Sequence, residues 1–350
     1  MDRKPIALIM LSGGLDSTLA ARTMLEMGTV EVRGINFYTG FCIIEQRRRL
    51  GGKNTKKTLV NDGLVAGGNL GIPVDLIDIS KDYFKMVTKP KYGYGSGANP
   101  CIDCRIFMMT RIREMIDRGE GDFLVTGEVL GQRPMSQHRQ ALGIIEKDSN
   151  LKGLIVRPLS AKLLPPTIPE DKGWIDREKM HGISGRTRKP QIALAEKFGI
   201  TNYPQPAGGC CFLPDKTFAA RFKDFLSHEF LAGEELDIDK VVRLRAGRHF
   251  RLTPNVRVIV SRDEGENKLL ENYRRGRWSY NVVDVPGPVT IVEGEPNEEE
   301  HLKIASITAR YSDAKESENV QVLCEKGEES SRILTVSPWN DDKTLDSLRV

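Results

Sequence analysis

Residues 5–10 read PIALIM, an uncharged run that passes directly into LSGGLDS and then into STLAARTMLEMG. A strand with no polar residue on either face must be covered on both sides, as in a parallel sheet flanked by helices. The segment after it has apolar residues at helical spacing and stops at Gly28, and VEVRGINFY then reads as a second strand. Together they form a βαβ unit. The alternation continues with LVNDGLVAGGNLG as a helix, VDLIDIS as a strand, CRIFMMTRIREMIDRG as a helix, and DFLVTGE and GLIVRPL as strands. The expected fold is α/β, an open and mostly parallel sheet with helices on both faces. LLPPTIPEDKG interrupts the pattern, and QIALAEKFG and FAARFKDFLSHEF read as helices around a loop bearing glycines and cysteines. After Gly233 the periodicity shifts to two, as in VVRLRAGRHFRL and VRVIVSR. The expected domains are therefore 1–165, a helical extension over 166–232 and a smaller β-rich domain over 233–350.

A chain of 350 residues can bury more than one core. No apolar run is long enough to cross a bilayer, and the N-terminal apolar stretch is cut short by glycines and Asp16. The expectation is a cytoplasmic protein with no membrane partner. The net charge of +4 is small but uneven, since residues 240–277 hold Lys240, Arg243, Arg245, Arg248, Arg251 and Arg257 among other bases. Such a stretch is a candidate footprint for a phosphate backbone.

A strand, a glycine turn and a helix place free N–H groups and the positive helix end together, which suits an anion. The loop lacks the lysine of a Walker motif and the spacing of a dinucleotide fingerprint. It offers instead the Ser12 and Ser17 hydroxyls, the Gly13 and Gly14 backbone, and Asp16, placed to carry magnesium beside a pyrophosphate. The alternative is a plain turn with a capping serine. Of the six cysteines, Cys101 and Cys104 form a CxxC at a helix start, and Cys210 and Cys211 follow in PAGGCC. Three such thiols can hold three irons of a [4Fe-4S] cluster with the fourth iron open. A zinc site, and a disulfide or persulfide mechanism, are the other readings.

SGGLDS resembles the PP-loop of the ATP pyrophosphatases, and with PCIDC and PAGGC the chain resembles the PP-loop tRNA thiolation enzymes over roughly residues 5–225. That resemblance implies an adenine nucleotide alpha-hydrolase-like fold that uses ATP, Mg2+ and a [4Fe-4S] cluster. The implied activity is adenylation of a uridine carbonyl oxygen in tRNA and its replacement by sulfur, with 4-thiouridine favoured over 2-thiouridine. The implied catalytic residues are Cys101, Cys104, Cys210 and Asp16, the three cysteines also being the metal ligands. Cys210 is preferred because it follows the Gly-Gly turn, with Cys211 as a buried neighbour. Nucleotide contacts would come from Ser12, Gly13, Gly14, Asp16 and Ser17, with the adenine near Asn36 and Tyr38 at the end of the second strand. Thr126, Gly127, Glu128, Gln132, Arg133 and Ser136, at the end of DFLVT, are candidate contacts to nucleotide or substrate, Glu128 and Arg133 alternatively forming a surface ion pair. The sulfur donor would be sulfide or a cysteine desulfurase persulfide, and a homodimer on one tRNA is compatible with the resemblance.

AGRHFRLTPNVRVIVSRDEGENKLL resembles the small RNA-binding module of the NFACT family. Candidate RNA contacts are Arg133, Arg186 and Arg188 in the first part of the chain and Arg248 and Arg251 in the second, with His249, Phe250, Tyr273 or Trp278 for base stacking. Cys324 is read as a strand-end residue rather than a persulfide loop, because Glu325, Glu328 and Glu329 would repel the anion. Two rival functions remain. An amide-forming ATP pyrophosphatase synthetase would keep the loop without needing the cysteines, and a non-catalytic RNA-binding protein would tolerate loss of Asp16.

Overall fold

The computed structural model describes residues 3–42, 61–204, 210–230, 238–327 and 330–350. Contacts divide them into two compact units that meet in sequence at Pro214 and Asp215. The region expected as a separate helical extension is shared, its first part belonging to unit 1 and its last helix to unit 2.

Unit 1 contains β1 (Ile6–Met10), α1 (Leu15–Met27), β2 (Glu31–Tyr38), α2 (Asp62–Leu70), β3 (Val74–Asp78), α3 (Ser80–Thr88), α4 (Cys101–Asp117), β4 (Phe123–Val125), α5 (Arg139–Asp148), β5 (Ile155–Val156) and α6 (Lys189–Lys197). Its strands are all parallel in the order β3-β2-β1-β4-β5. The order reverses between β1 and β4, so a crevice opens beyond their carboxyl ends, where open α/β sheets bind ligands. Both faces of β1 are buried as the sequence requires. Ala7, Ile9 and Leu11 join one core with Ala20, Ala21 and Met24 of α1, while Leu8 joins another with Met109 and Ile112 of α4. Helix α1 begins at Leu15, two residues before the expected start at Ser17, and ends at Gly28 in the left-handed region with φ +68°.

Unit 2 contains α7 (Lys216–His228), α8 (Ile238–Arg245), β6 (Arg248–Thr253), β7 (Val256–Val260), α9 (Glu264–Glu271), β8 (Ser279–Val282), β9 (Thr290–Glu293), α10 (Glu298–Arg310), β10 (Val320–Lys326), β11 (Ser330–Val336) and α11 (Asp342–Ser347). Its strands form an antiparallel sheet in the order β11-β10-β8-β9-β7-β6. The β-rich expectation holds except at VVRLR, which is helical. Val241 and Leu244 are buried three residues apart, Asp239 and Arg245 suit the two ends of the helix dipole, and Gly247 at φ +72° turns the chain into β6.

Candidate active site

The turn after β1 is shaped by close approach. Gly13 has φ +77°, and a Cβ there would lie 2.2 Å from the backbone carbonyl carbon of Asp62, so only glycine lets α2 come this near. Gly14 precedes α1, and no side chain caps the helix. The first-turn N–H groups therefore remain available for an anion. The Ser17 hydroxyl donates to Gly14 O at 2.9 Å, and the Ser12 and Ser17 oxygens lie 3.2 Å apart beside that helix end. Asn36 braces the turn from β2: its amide donates to Leu11 O at 2.7 Å and its oxygen accepts from Asn61, the capping residue of α2.

The β4 exit closes the other side. A Cβ on Gly127 would lie 2.5 Å from Ser17 N, so the backbone at 127 sits directly against the first turn of α1. Gln132 donates to Asp16 Oδ2 at 2.7 Å, and Arg188 reaches the same oxygen at 3.2 Å. The wholly buried Gln191 holds Gln132 from behind with a 2.8 Å hydrogen bond. Asp16 Oδ1 is buried and has no hydrogen-bond partner among the described residues. A carboxylate with one oxygen held and the other bare, beside a free helix N-terminus, is suited to a hard divalent cation carried by polyphosphate.

Five of the six cysteines lie in the same unit. Cys101 and Cys104 lie in the first turn of α4, and a short antiparallel bridge pairs the backbones of Cys42 and Cys211. Cys210 is exposed and its sulfur lies 3.8 Å from Arg133 Nη1, whereas Cys42, Cys101, Cys104 and Cys211 are half-buried. Burial, then the nearby Cys210, pushes the Cys104 thiol up to about 12. Burial and Cys210 likewise raise Cys101. Cys210 is held well below the usual thiol range by a hydrogen bond from Cys211, which outweighs its own desolvation, and by the Arg133 and Arg105 charges. Cys211, the neighbour, is half-buried. Among the described residues no three His, Cys, Asp or Glu side chains converge on a single metal ion. An all-thiol set is soft-metal and cluster chemistry, and a cluster's ligands are spread over its several irons.

Several expected contacts take other roles. Glu128 is 2% exposed and pairs with Arg157 at 3.0 Å and with Arg105 at 3.5 Å, not with Arg133 at the surface. Thr126 is buried, its hydroxyl directed at Glu128 rather than at the crevice. Ser136 is buried too, and Tyr38 ends β2 half-buried. Arg188 faces Asp16, while Arg186 is exposed on the loop before α6. The Gly208–Gly209 turn lies outside the described residues. Cys42 and Tyr83 carry no local link to the motifs, whereas Arg105 directly follows Cys104 and Gln191 lies three residues after Arg188, so their adjacency was the available signal.

In unit 2 the expected phosphate contacts are largely occupied. Arg251 pairs with Asp224 and Glu229, Arg257 with Glu229 and Arg243 with Glu293. Arg248 donates to Ser261 O at 3.1 Å and lies over the Tyr311 ring. His249 and Phe250 are wholly buried, which corrects their expected use in base stacking; β6 turns both rings into unit 2. Tyr273 and Trp278 stay half-exposed. Cys324 lies inside β10, wholly buried, with its sulfur 3.5 Å from His301 Nδ1.

Residues 6–148 match the family model of the tRNA methyl transferase HUP domain, and residues 247–348 that of the NFACT protein RNA binding domain. The resemblance read from the motifs is borne out in both parts of the chain. The tRNA-specific 2-thiouridylase MnmA of Dehalococcoides mccartyi is 24% identical over 67% of this chain and 61% of its own length. The corresponding protein of Acetivibrio thermocellus is 29% identical over 85% of this chain and 78% of its own. The chain thus spans 61% of the length of the first of these relatives. Among solved structures, the U34-tRNA thiolase NcsA from Methanococcus maripaludis with its [4Fe-4S] cluster is 16% identical, covering 65% of this chain and 67% of its own, with a TM-score of 0.32. That structural likeness is too low to support an argument.

Proposed function

We propose that the protein is an ATP-dependent tRNA sulfurtransferase that adenylates a uridine carbonyl oxygen and replaces that oxygen with sulfur. One observation carries this reading. A single loop after β4 joins the two chemistries, Gln132 touching the PP-loop carboxylate and Arg133 touching a site cysteine. The names of the relatives and the RNA-binding domain match support tRNA as the substrate.

The free N–H groups of α1, with Ser12 and Ser17, would take the pyrophosphate part of ATP. Asp16, through its bare Oδ1, would hold Mg2+, which neutralises phosphate charge when bound. The side chains here orient rather than transfer protons: Gln132, Gln191 and Arg188 fix the carboxylate so that the carbonyl oxygen can meet the α-phosphorus in line. A new P–O bond forms, the bond to pyrophosphate breaks, and sulfur then displaces AMP from the activated carbon. Cys101, Cys104 and Cys210 would hold a [4Fe-4S] cluster, which supplies when bound an open iron for a sulfur ligand. C4 of uridine is the first reading, and the relatives' name makes C2 the second.

Two variants test the reading against its rivals. Asp16→Asn should lower both AMP formation and thiouridine by about 100-fold or more, a loss typical of a group that stabilises transition-state charge. Cys101→Ala should lose thiouridine and bound iron while still forming AMP. Full function in Cys101→Ala would support the amide-forming synthetase, and indifference to Asp16→Asn would support a non-catalytic RNA-binding protein.

A further inference from the structure

Arg133 is half-buried, and among the described residues no carboxylate pairs with it. Its guanidinium instead lies 3.8 Å from the Cys210 sulfur, and its charge also reaches Cys101. By contrast Arg105, the other cation near the cysteines, is neutralised by Glu128, and Arg188 by Asp16. Two backbone hydrogen bonds close the loop that carries Arg133, Gly131 N to Gln137 O at 2.7 Å and Gln137 N to Arg133 O at 3.1 Å. The preceding residue, Gln132, is fixed on Asp16. A cation whose partner among the described residues is a thiol rather than a carboxylate is thus held beside the nucleotide loop and the cysteines, where a small anion would have to wait before attacking the activated carbon.

We infer that Arg133 is the docking cation for the sulfur nucleophile, a hydrosulfide or the terminal persulfide of a donor, and is a positioning residue rather than an RNA contact. The inference rests on the sulfurtransferase reading. The hydrosulfide sulfur bonds to the adenylated ring carbon, the carbon–oxygen bond to the adenylate breaks, AMP leaves with the electron pair, and the S–H proton passes to water; with a persulfide the outer sulfur bonds in the same way, and a second thiol of the donor then attacks the inner sulfur, forming a disulfide and leaving the outer sulfur on the carbon. A guanidinium suits this task because it stays charged and presents several donors to an anion.

Two measurements on the full-length chain test it. In the first, thiouridine formation is followed against sodium sulfide, ATP and tRNA in turn, for wild type, Arg133→Gln and Arg133→Lys. Arg133→Gln should raise KM for sulfide about tenfold, the loss of one charge-assisted contact, with a smaller change in kcat, and Arg133→Lys should recover most of it. Substituting a cysteine desulfurase and free cysteine for sulfide shows which source uses the site: a defect with either donor, or with sulfide alone, supports the inference. A rise confined to KM for tRNA or ATP overturns it. In the second, iron-free protein is alkylated with iodoacetate and with iodoacetamide, and modification of Cys210 is read by peptide mass spectrometry. The ratio of the anionic to the neutral reagent cancels the thiol's own reactivity. It should fall about threefold or more in Arg133→Gln, and an unchanged ratio overturns the inference. If wild type yields no thiouridine while the ratio still falls, the sulfurtransferase reading fails and Arg133 is an anion site for another reaction.

Discussion

Gly13 shows most sharply what a single residue does here. Its φ is positive, and the Asp62 backbone comes within 2.2 Å of the point a Cβ would occupy, which leaves no room for any side chain. Gly13→Ala should cost about 1–3 kcal/mol in backbone strain, and it should weaken ATP binding by pushing α2 from the loop; urea midpoints and calorimetric titration measure the two effects. That position was legible because SGGLDS is local: the turn, the helix start and the carboxylate all lie within a few residues. His249, Phe250 and Arg251 were not. His249 and Phe250 are consecutive on β6 and point to opposite faces, so both are buried because both faces are covered there, and Arg251 is paired by Asp224 and Glu229 on or after α7; local alternation reveals neither. Cys42 had no signal either, since its link to Cys211 joins positions far apart in sequence.

At the scale of elements, α4, β4 and β5 are tied by buried charge. Glu128 accepts from Arg157, which also bonds Glu146 on α5, while Arg105 reaches Glu128 from α4. Glu128→Gln leaves the 4%-exposed Arg157 undercompensated and should destabilise unit 1 by about 3 kcal/mol, measured by chemical denaturation. In unit 2, burial and then the Arg257 and Arg221 charges hold His249 well below its ordinary value. The unfolded chain, with a histidine pKa near 6.5, binds the extra proton first. Stability of unit 2 should therefore fall as pH drops below about 6.5, with this histidine contributing a slope of up to about 1.4 kcal/mol per pH unit. His249→Gln should flatten that dependence in melts between pH 7.5 and 5. The βαβ pattern was readable because the central strands β1 and β4 are buried on both faces, which leaves continuous apolar runs there. VVRLR was misread because a short amphipathic helix and a short strand share apolar positions, and the turn at Gly247 decides between them.

For the whole molecule, one chain carries a parallel α/β unit that matches a HUP domain and holds the cysteine cluster, and a separate antiparallel unit that matches an RNA-binding domain. A second binding module raises the effective concentration of a tethered substrate at the first. On the proposed tRNA reading, raising salt should raise KM for tRNA steeply and leave KM for ATP much less affected, as steady-state kinetics at two ionic strengths would show. The most direct measurement is nucleoside mass spectrometry with chromatographic separation of isomers, after anaerobic incubation of the full chain with unmodified tRNA, ATP, magnesium and sulfide. The proposed chemistry predicts a thiouridine that appears only when ATP is present, its retention time assigning C4 or C2. AMP release without thiouridine, from protein with its iron intact and supplied with either sulfide or a persulfide donor, would contradict it.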